Sequence, residues 1–421
     1  MSTAASPAIS VPSTQLDLGK IRADFPILSE RAYGKPLVYL DNAASSQKPK
    51  AVIDALVRYY STSNANVHRG VHFLSQKASQ EFDEVRLKLR DYIHAASERE
   101  IVFVRGATEG INLVASSWGR ANLHPGDEVL VSGMEHHSNI VPWQLVCAER
   151  GATVRHIPIL DNGELDLDAY HQLLGPKVRL VAVVHTSNSL GTVNPVKTMI
   201  DSAHAKNIPV LVDGAQTLAH GTVDVSELDC DFLVFSGHKM LGPTGIGVLY
   251  GKEALLEAMP PYQGGGEMIH SVSFDGTTFN ELPYKFEAGT PNIADVIALG
   301  AALDYWASLD RTVVAEWEEH LLSYATASIA TIPGVRIIGT AKRKSGVLSF
   351  IVEGLNALDI GMFLDTQGIA VRTGHHCTEP VMDRFGIPGT VRASFMFYNT
   401  AEEVDRFVEA LRKAIHLLRK G

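Results

Sequence analysis

Between Ile101 and Tyr250 short apolar runs recur, with amphipathic stretches between most of them. This alternation constrains the fold more than any other feature of the chain. The runs are Ile101–Val104, Glu128–Ser132, Thr153–Ile157, Arg179–His185, Ile208–Val212, Phe232–Phe235 and Ile246–Tyr250. Each reads as a buried strand. Segments such as Glu109–Trp118, Asn139–Arg150 and Val196–Lys206 read as helices. Strands that alternate with helices predict an α/β fold with a mostly parallel seven-stranded sheet. A short Gly-rich turn joins the last two strands, which allows one of them to run antiparallel.

Open α/β sheets bind ligands just beyond the carboxyl ends of their strands. Those positions hold Arg105-Gly-Ala-Thr108, Glu135-His136-His137, His185 with Asn188, Asp213-Gly-Ala-Gln216 and Ser236-Gly-His238-Lys239. Chemically capable residues thus fall repeatedly on one edge. Lys239 follows the buried run from Phe232, where an ammonium must be paired or neutralised. Desolvation lowers a lysine's pKa, and a neutral amine forms a Schiff base with a carbonyl. The same residues also read as a surface turn with an ordinary lysine, and both readings stand on this stretch alone. A P-loop does not fit, because Met240 and Leu241 follow Lys239. Gly106-Ala-Thr108-Glu-Gly110 suits either a phosphate at a helix N-terminus or a simple helix cap. Asp213 suits either a protonated ring nitrogen or a cap of the next helix.

Outside this region, Leu37–Leu40 reads as a short strand entering a turn, and Lys50–Tyr60 and Ser75–His94 as helices. Past Thr290-Pro291 the pattern changes to helices at Ala294–Leu309, Val313–Thr331 and Ala357–Gln367. Strands are expected at Val335–Ile338, Val347–Val352, Ile369–Arg372 and Val391–Phe397. The last helix begins at a capping box, Thr400-Ala-Glu-Glu403. The expected organisation is a disordered tail (1–15), a segment packing with the small domain (16–36), a large α/β domain (37–292) and a smaller α+β domain (293–421).

A net charge of −10 without a basic run argues against nucleic acid, and no apolar run is long enough to span a membrane. The Ser/Ala/Pro-rich start lacks the features of a signal peptide. Three cysteines suit a reducing compartment, so a cytoplasmic location is expected. His68 and His72, His136-His137 and His375-His376-Cys377 invite a metal reading. No Glu follows His68 and no Cys-x-x-Cys pair exists, so no metal is assigned. Cys377 lies between Gly374 and Pro380, in a loop beside two histidines, and neighbouring cations activate a thiol. It is the candidate nucleophile, whereas Cys147 and Cys230 read as structural.

The stretches Ser236-Gly-His-Lys-Met-Leu-Gly-Pro-Thr-Gly-Ile-Gly247, Asp213-Gly-Ala-Gln216, Glu135-His-His-Ser-Asn-Ile-Val-Pro-Trp143, Arg105-Gly-Ala-Thr-Glu-Gly-Ile-Asn112, Phe286-Glu-Ala-Gly-Thr-Pro-Asn292 and Arg372-Thr-Gly-His-His-Cys377 occur together in one chain. They resemble a SufS-type (group II) cysteine desulfurase, in the class V aminotransferase branch of fold-type I pyridoxal-phosphate enzymes. The resemblance covers residues 16 to 421. It implies a Schiff base between Lys239 and pyridoxal 5'-phosphate, with Asp213 on the pyridine nitrogen, His136 on the ring face and Gln216 on the phenolic oxygen. It implies Thr108, Ser236 and His238 on the phosphate, joined by Thr290 from the other subunit of a homodimer. Arg392 takes the substrate carboxylate, with Asn188, His68 and Arg372 nearby. Cys377 removes sulfur from L-cysteine as a persulfide and L-alanine leaves. A carrier of the SufE or SufU kind then takes the sulfur toward iron–sulfur cluster assembly. Thr378-Glu379 departs from the expected alanine and less acidic neighbour, and an added carboxylate disfavours a thiolate. Selenocysteine lyase is the alternative within the family, and a non-catalytic metal or scaffold protein the distant one.

Overall fold

The structure, a computed structural model, describes residues 16–420. The expected tail at 1–15 lies outside the described residues. Seven strands form the central sheet: β1 (Ile101–Val104), β2 (Glu128–Ser132), β3 (Thr153–Ile157), β4 (Val178–Val184), β5 (Val210–Asp213), β6 (Phe232–Ser236) and β7 (Gly247–Gly251). Their spatial order is β1-β7-β6-β5-β4-β2-β3. Pairing from β6 through β3 is parallel, and β7 runs antiparallel to β1 and β6. Every residue of β1, β5, β6 and β7 is buried. Strands covered on both faces read as continuous apolar runs, which is why their positions were legible.

The tight return from β6 to β7 depends on glycine. A Cβ on Gly247 would stand 2.5 Å from the Gly106 Cα and 2.5 Å from the Phe235 carbonyl oxygen. The absence of side chains brings the loop after β1 onto the end of β6, where the Ala107 N–H donates to Ser236 Oγ at 2.9 Å.

A second, antiparallel sheet has the order Val335–Ile338, Val347–Val352, Thr390–Ser394, Arg372–Gly374. The expected strand Ile369–Arg372 is split. Ile369–Ala370 pairs in parallel with Val38–Tyr39, whereas Arg372–Gly374 pairs with Thr390–Arg392. The expected strand Val391–Phe397 ends at Ser394. Beyond it the chain leaves the ladder, with the Phe397 N–H donating to Glu318 Oε1 at 2.9 Å. The capping box forms as expected, with the Thr400 hydroxyl on the Glu403 N–H and the Glu403 carboxylate returning to the Thr400 N–H. The segment from Leu16 packs inward through Phe25, which meets Tyr305, Phe397 and Tyr398. Arg22 bonds the Tyr398 carbonyl at 2.7 Å and Glu403 at 3.0 Å.

Candidate active site

The carboxyl ends of β1, β2, β4, β5 and β6 open into one cavity of about 380 Å³. From the large sheet it receives Thr108, His136, Asn188, Asp213 and Gln216. The end of β6 adds Ser236, the turn after it His238 and Lys239, and the second sheet with its loops adds Arg372, Cys377 and Arg392. Eleven of the thirteen residues singled out in the sequence therefore share one space. His68 and Thr290 do not. His68 is exposed, 3.0 Å from Asp83 and edge-on to Tyr284. Thr290 is exposed on a separate surface cavity with Arg105 and Glu287.

Lys239 stands in a short 3-10 turn, Gly237–Lys239, straight after β6. Burial pushes its amine below the ordinary lysine value, and the Asp213 carboxylate opposes that shift. Asp213 ends β5 and is driven the other way by burial, while the Ala215 N–H at 2.9 Å and Lys239 hold it down. Each charge thus offsets only part of the other's desolvation, which remains the larger effect on both. His136 is brought down to about 4, by burial and then by Lys239, His137 and Arg392. Its Nδ1 accepts the Ser138 N–H at 3.1 Å, which assigns the proton of the neutral ring to Nε2. His238 is also held near 4, chiefly by burial. Glu135, buried under this corner, is pushed up to about 8 by burial. It accepts from the Val184 N–H and Asn139 at 2.7 Å each, and from Ser132.

The Cys377 loop is held in an unfavourable backbone conformation. His376 and Cys377 have φ of 54° and 58°, the left-handed region that non-glycine residues rarely occupy. Several contacts fix it: Asn188 Nδ2 on the His376 carbonyl at 2.8 Å, the His137 N–H on the Cys377 carbonyl at 2.8 Å, and the Glu379 N–H on His137 Nε2 at 3.1 Å. His137 was not assigned a role from the sequence. Its task, holding a loop 240 residues further along, has no local signature. The expected cationic histidine beside the thiol is not found in His376. Burial takes that ring down to about 3, so it is neutral, and its Nε2 lies 2.7 Å from Thr390 Oγ1. The positive charges that face Cys377 include Arg372, Arg392 and Lys239. Glu379 points outward, 4.0 Å from His375. Cys377 is exposed, whereas Cys147 and Cys230 are buried. Burial raises both of those thiols, Cys147 to about 11.

At the far end of the cavity, Arg392 is almost fully enclosed. Nη1 donates to the Asn188 carbonyl and Nη2 to Asp41, each at 3.0 Å. Its Nε is buried without a partner. Arg372 is instead bound to Asp41 through Nε and Nη2. Asp41 was not singled out either, although it ends an apolar run as Asp213 does. Among the described residues no group of three or more His, Cys, Asp or Glu side chains could hold a metal ion.

These residues fit pyridoxal phosphate. The helix Ala107–Val114 directs its N-terminus into the cavity beside Thr108, Ser236 and His238, which suits a phosphate. Gln216 donates to the Ala43 carbonyl at 2.7 Å and keeps a buried Oε1 without a partner. That leaves its amide available to a polar group of the cofactor. A mostly parallel sheet whose strand ends carry a buried lysine and a buried carboxylate in one cavity matches a fold-type I pyridoxal-phosphate enzyme. Within that class the chain belongs to the class-V aminotransferase family, whose model matches residues 38–407. It is 52% identical over 403 residues to a probable cysteine desulfurase of Vibrio cholerae, covering 96% of this chain and 100% of that protein. A cysteine desulfurase of Escherichia coli O127:H6 is 52% identical over 400 residues, covering 95% of this chain and 98% of the relative. Among solved structures, the cysteine desulfurase CsdA (S-sulfonic acid) of Escherichia coli superposes with a TM-score of 0.90 at 42% identity, covering 96% of this chain and all of that one. The apo cysteine desulfurase of Thermococcus onnurineus gives 0.90 at 38% identity, with full coverage of both.

Proposed function

We propose that this chain is a pyridoxal-phosphate-dependent cysteine desulfurase that converts L-cysteine to L-alanine and takes the sulfur onto Cys377. The observation that carries this is the sharing of one cavity by Lys239 and the exposed Cys377. When bound, the cofactor supplies an electron sink for the amino acid's α-carbon. Lys239 tethers it, its amine kept reactive by burial. Asp213 holds the ring nitrogen, neutral His136 covers the ring face, and Thr108, Ser236 and His238 hold the phosphate. Arg392 takes the substrate carboxylate, in the same cavity as Cys377. The C–S bond of cysteine breaks as an S–S bond forms at Cys377. L-cysteine and the enzyme thiol thereby give L-alanine and an enzyme persulfide.

The Arg372–Cys377 motif supports the group II, SufS-like subtype, with a SufE- or SufU-like carrier as sulfur acceptor and iron–sulfur assembly as destination. The exposed Thr290, away from the cavity of its own chain, supports a homodimer in which it completes the partner's site. No helix among the described residues is long and apolar enough to cross a membrane, and a cytoplasmic location is part of this reading.

The test is to incubate holoenzyme with L-cysteine, measure alanine, and locate the added sulfur by mass spectrometry. One extra sulfur is expected on the peptide containing Cys377. Cys377→Ala should keep the bound cofactor's visible absorbance and lose nearly all alanine release from cysteine. It should retain much of any selenocysteine lyase activity, because selenium leaves more readily than sulfur. A persulfide on Cys147 or Cys230, with Cys377→Ala still active on cysteine, overturns the reading.

A further inference from the structure

The turn that carries Lys239 is strained and is pinned from far away in the chain. Two residues after Lys239, Leu241 has φ of 70°, in the left-handed region that a non-glycine residue occupies only when its surroundings hold it there. Residues 45–48 do the holding. The Leu241 N–H donates to Ser46 Oγ at 2.9 Å. The His238 carbonyl belongs to the peptide that leads into Lys239, and it accepts from four donors. These are Lys48 Nζ at 2.8 Å, the Ser46 N–H and Ser45 Oγ at 3.1 Å each, and Ser46 Oγ at 3.2 Å. Lys48 is the unusual member of this group. Desolvation brings its amine down to about 7, and an ammonium withdrawn from water is ordinarily paired with a carboxylate. Among the described residues Lys48 has no carboxylate partner. Its contacts are the His238 carbonyl, the Ser46 carbonyl at 2.6 Å and Ser46 Oγ at 3.5 Å.

We propose that Lys48 is a positioning residue for Lys239. Its amine fixes the His238–Lys239 peptide, and with it the place from which the Lys239 amine meets the cofactor aldehyde. Lys48 lies outside the cavity wall and acts only through that peptide. The link to the cofactor forms when the amine nitrogen and the aldehyde carbon condense to C=N and release water, a step that depends on where the nitrogen stands. Contacts to the cofactor's phosphate and ring do not have that requirement. The proposal rests on the reading of Lys239 as the attachment point.

The test titrates the full chain, freed of cofactor, with pyridoxal 5'-phosphate and with pyridoxine 5'-phosphate. The second carries an alcohol in place of the aldehyde and cannot form the link. Visible absorbance reads the first ligand, and displacement of the first reads the second. Wild type should prefer the aldehyde. Lys48→Met should shrink that preference by on the order of tenfold, the scale of one charge-assisted hydrogen bond. Lys48→Arg, which restores the charge and the N–H donors, should return it toward wild type. A merely structural role, or one toward the phosphate alone, would weaken both ligands alike, and an unchanged preference in Lys48→Met overturns the proposal. Should Lys48→Met fail to fold, Lys48→Gln is measured in its place. It should shift the preference in the same direction, and a wild-type preference overturns the proposal. Failure of the underlying reading looks different, since Lys239→Ala would then keep the wild-type preference for the aldehyde.

Discussion

Arg392→Lys separates the shape of the carboxylate site from its charge. Lysine keeps the positive charge, so the group of Asp41, Arg372 and residue 392 stays at +1. What changes is the number and direction of donors. The guanidinium holds the Asn188 carbonyl through Nη1 and Asp41 through Nη2, which fixes its plane at the cavity wall. A single ammonium on a flexible stem cannot reproduce that fork. Burial holds the Arg392 guanidinium below its ordinary value, and Asp41 pushes back. A lysine ammonium in the same place would be drawn to Asp41 and away from the ligand. Losing one charge-assisted hydrogen bond costs about 1.5–3 kcal/mol, which is roughly a 10- to 150-fold rise in KM for L-cysteine. Lys239 and Cys377 are untouched, so kcat should fall much less and the cofactor's absorbance should persist. Steady-state alanine release over a range of L-cysteine concentrations, with absorbance as the control for occupancy, measures this. A KM at the wild-type value would refute the reasoning and place the carboxylate elsewhere.

Two other changes probe different parts of the molecule. Lys239→Ala should remove the visible absorbance of the lysine-bound cofactor together with desulfurase activity, and an unchanged spectrum would exclude Lys239 as the attachment point. Arg86→Met should lower stability by about 3–5 kcal/mol, read from the urea midpoint. It leaves Glu287 buried without its two-pronged partner at 2.8 and 2.9 Å, and removes a guanidinium 4.3 Å from the Phe103 ring. Adding Glu287→Gln should recover part of that loss, and an unchanged midpoint in the single variant would show that the pair contributes nothing.

Legibility followed sequence distance. β1, β2 and β3 were read with the bounds they have, because apolar runs between polar turns are local signals. So were the strand-end residues: Thr108, His136, Asp213 and Lys239 each stand just after such a run. The split of Ile369–Arg372 was not readable, because its first part pairs with Val38–Tyr39, far earlier in the chain. His376 illustrates a different limit. Its neighbours suggested a charged ring, but enclosure opposite Thr390 makes it neutral, and enclosure is not written locally. His137 and Asp41 were missed for the same reason. Glu379 lies 242 residues from His137, and Arg372 lies 331 residues from Asp41.

The segment Asp41–Lys48 shows why these long-range contacts matter for the chemistry. The Ser46 N–H donates to the His238 carbonyl at 3.1 Å, and Lys48 Nζ to the same oxygen at 2.8 Å. Ala43 holds Gln216 through its carbonyl at 2.7 Å and donates its N–H to Ser394 Oγ at 2.9 Å. Asn42 donates to the Ser394 carbonyl at 2.6 Å, and Asp41 binds both arginines. One strap is thereby bonded both to the lysine-bearing turn of the large sheet and to the strand that carries Arg392. Lys239 and Arg392 belong to different sheets, and the strap joins them alongside the direct bond from Arg392 to the Asn188 carbonyl. On the proposed assignment a bound amino acid meets the cofactor with its amine and Arg392 with its carboxylate at once, and small errors in such placement are costly in rate. Polar residues between Leu40 and Lys50 therefore contribute to the relative placement of Lys239 and Arg392, because their hydrogen bonds reach both sheets.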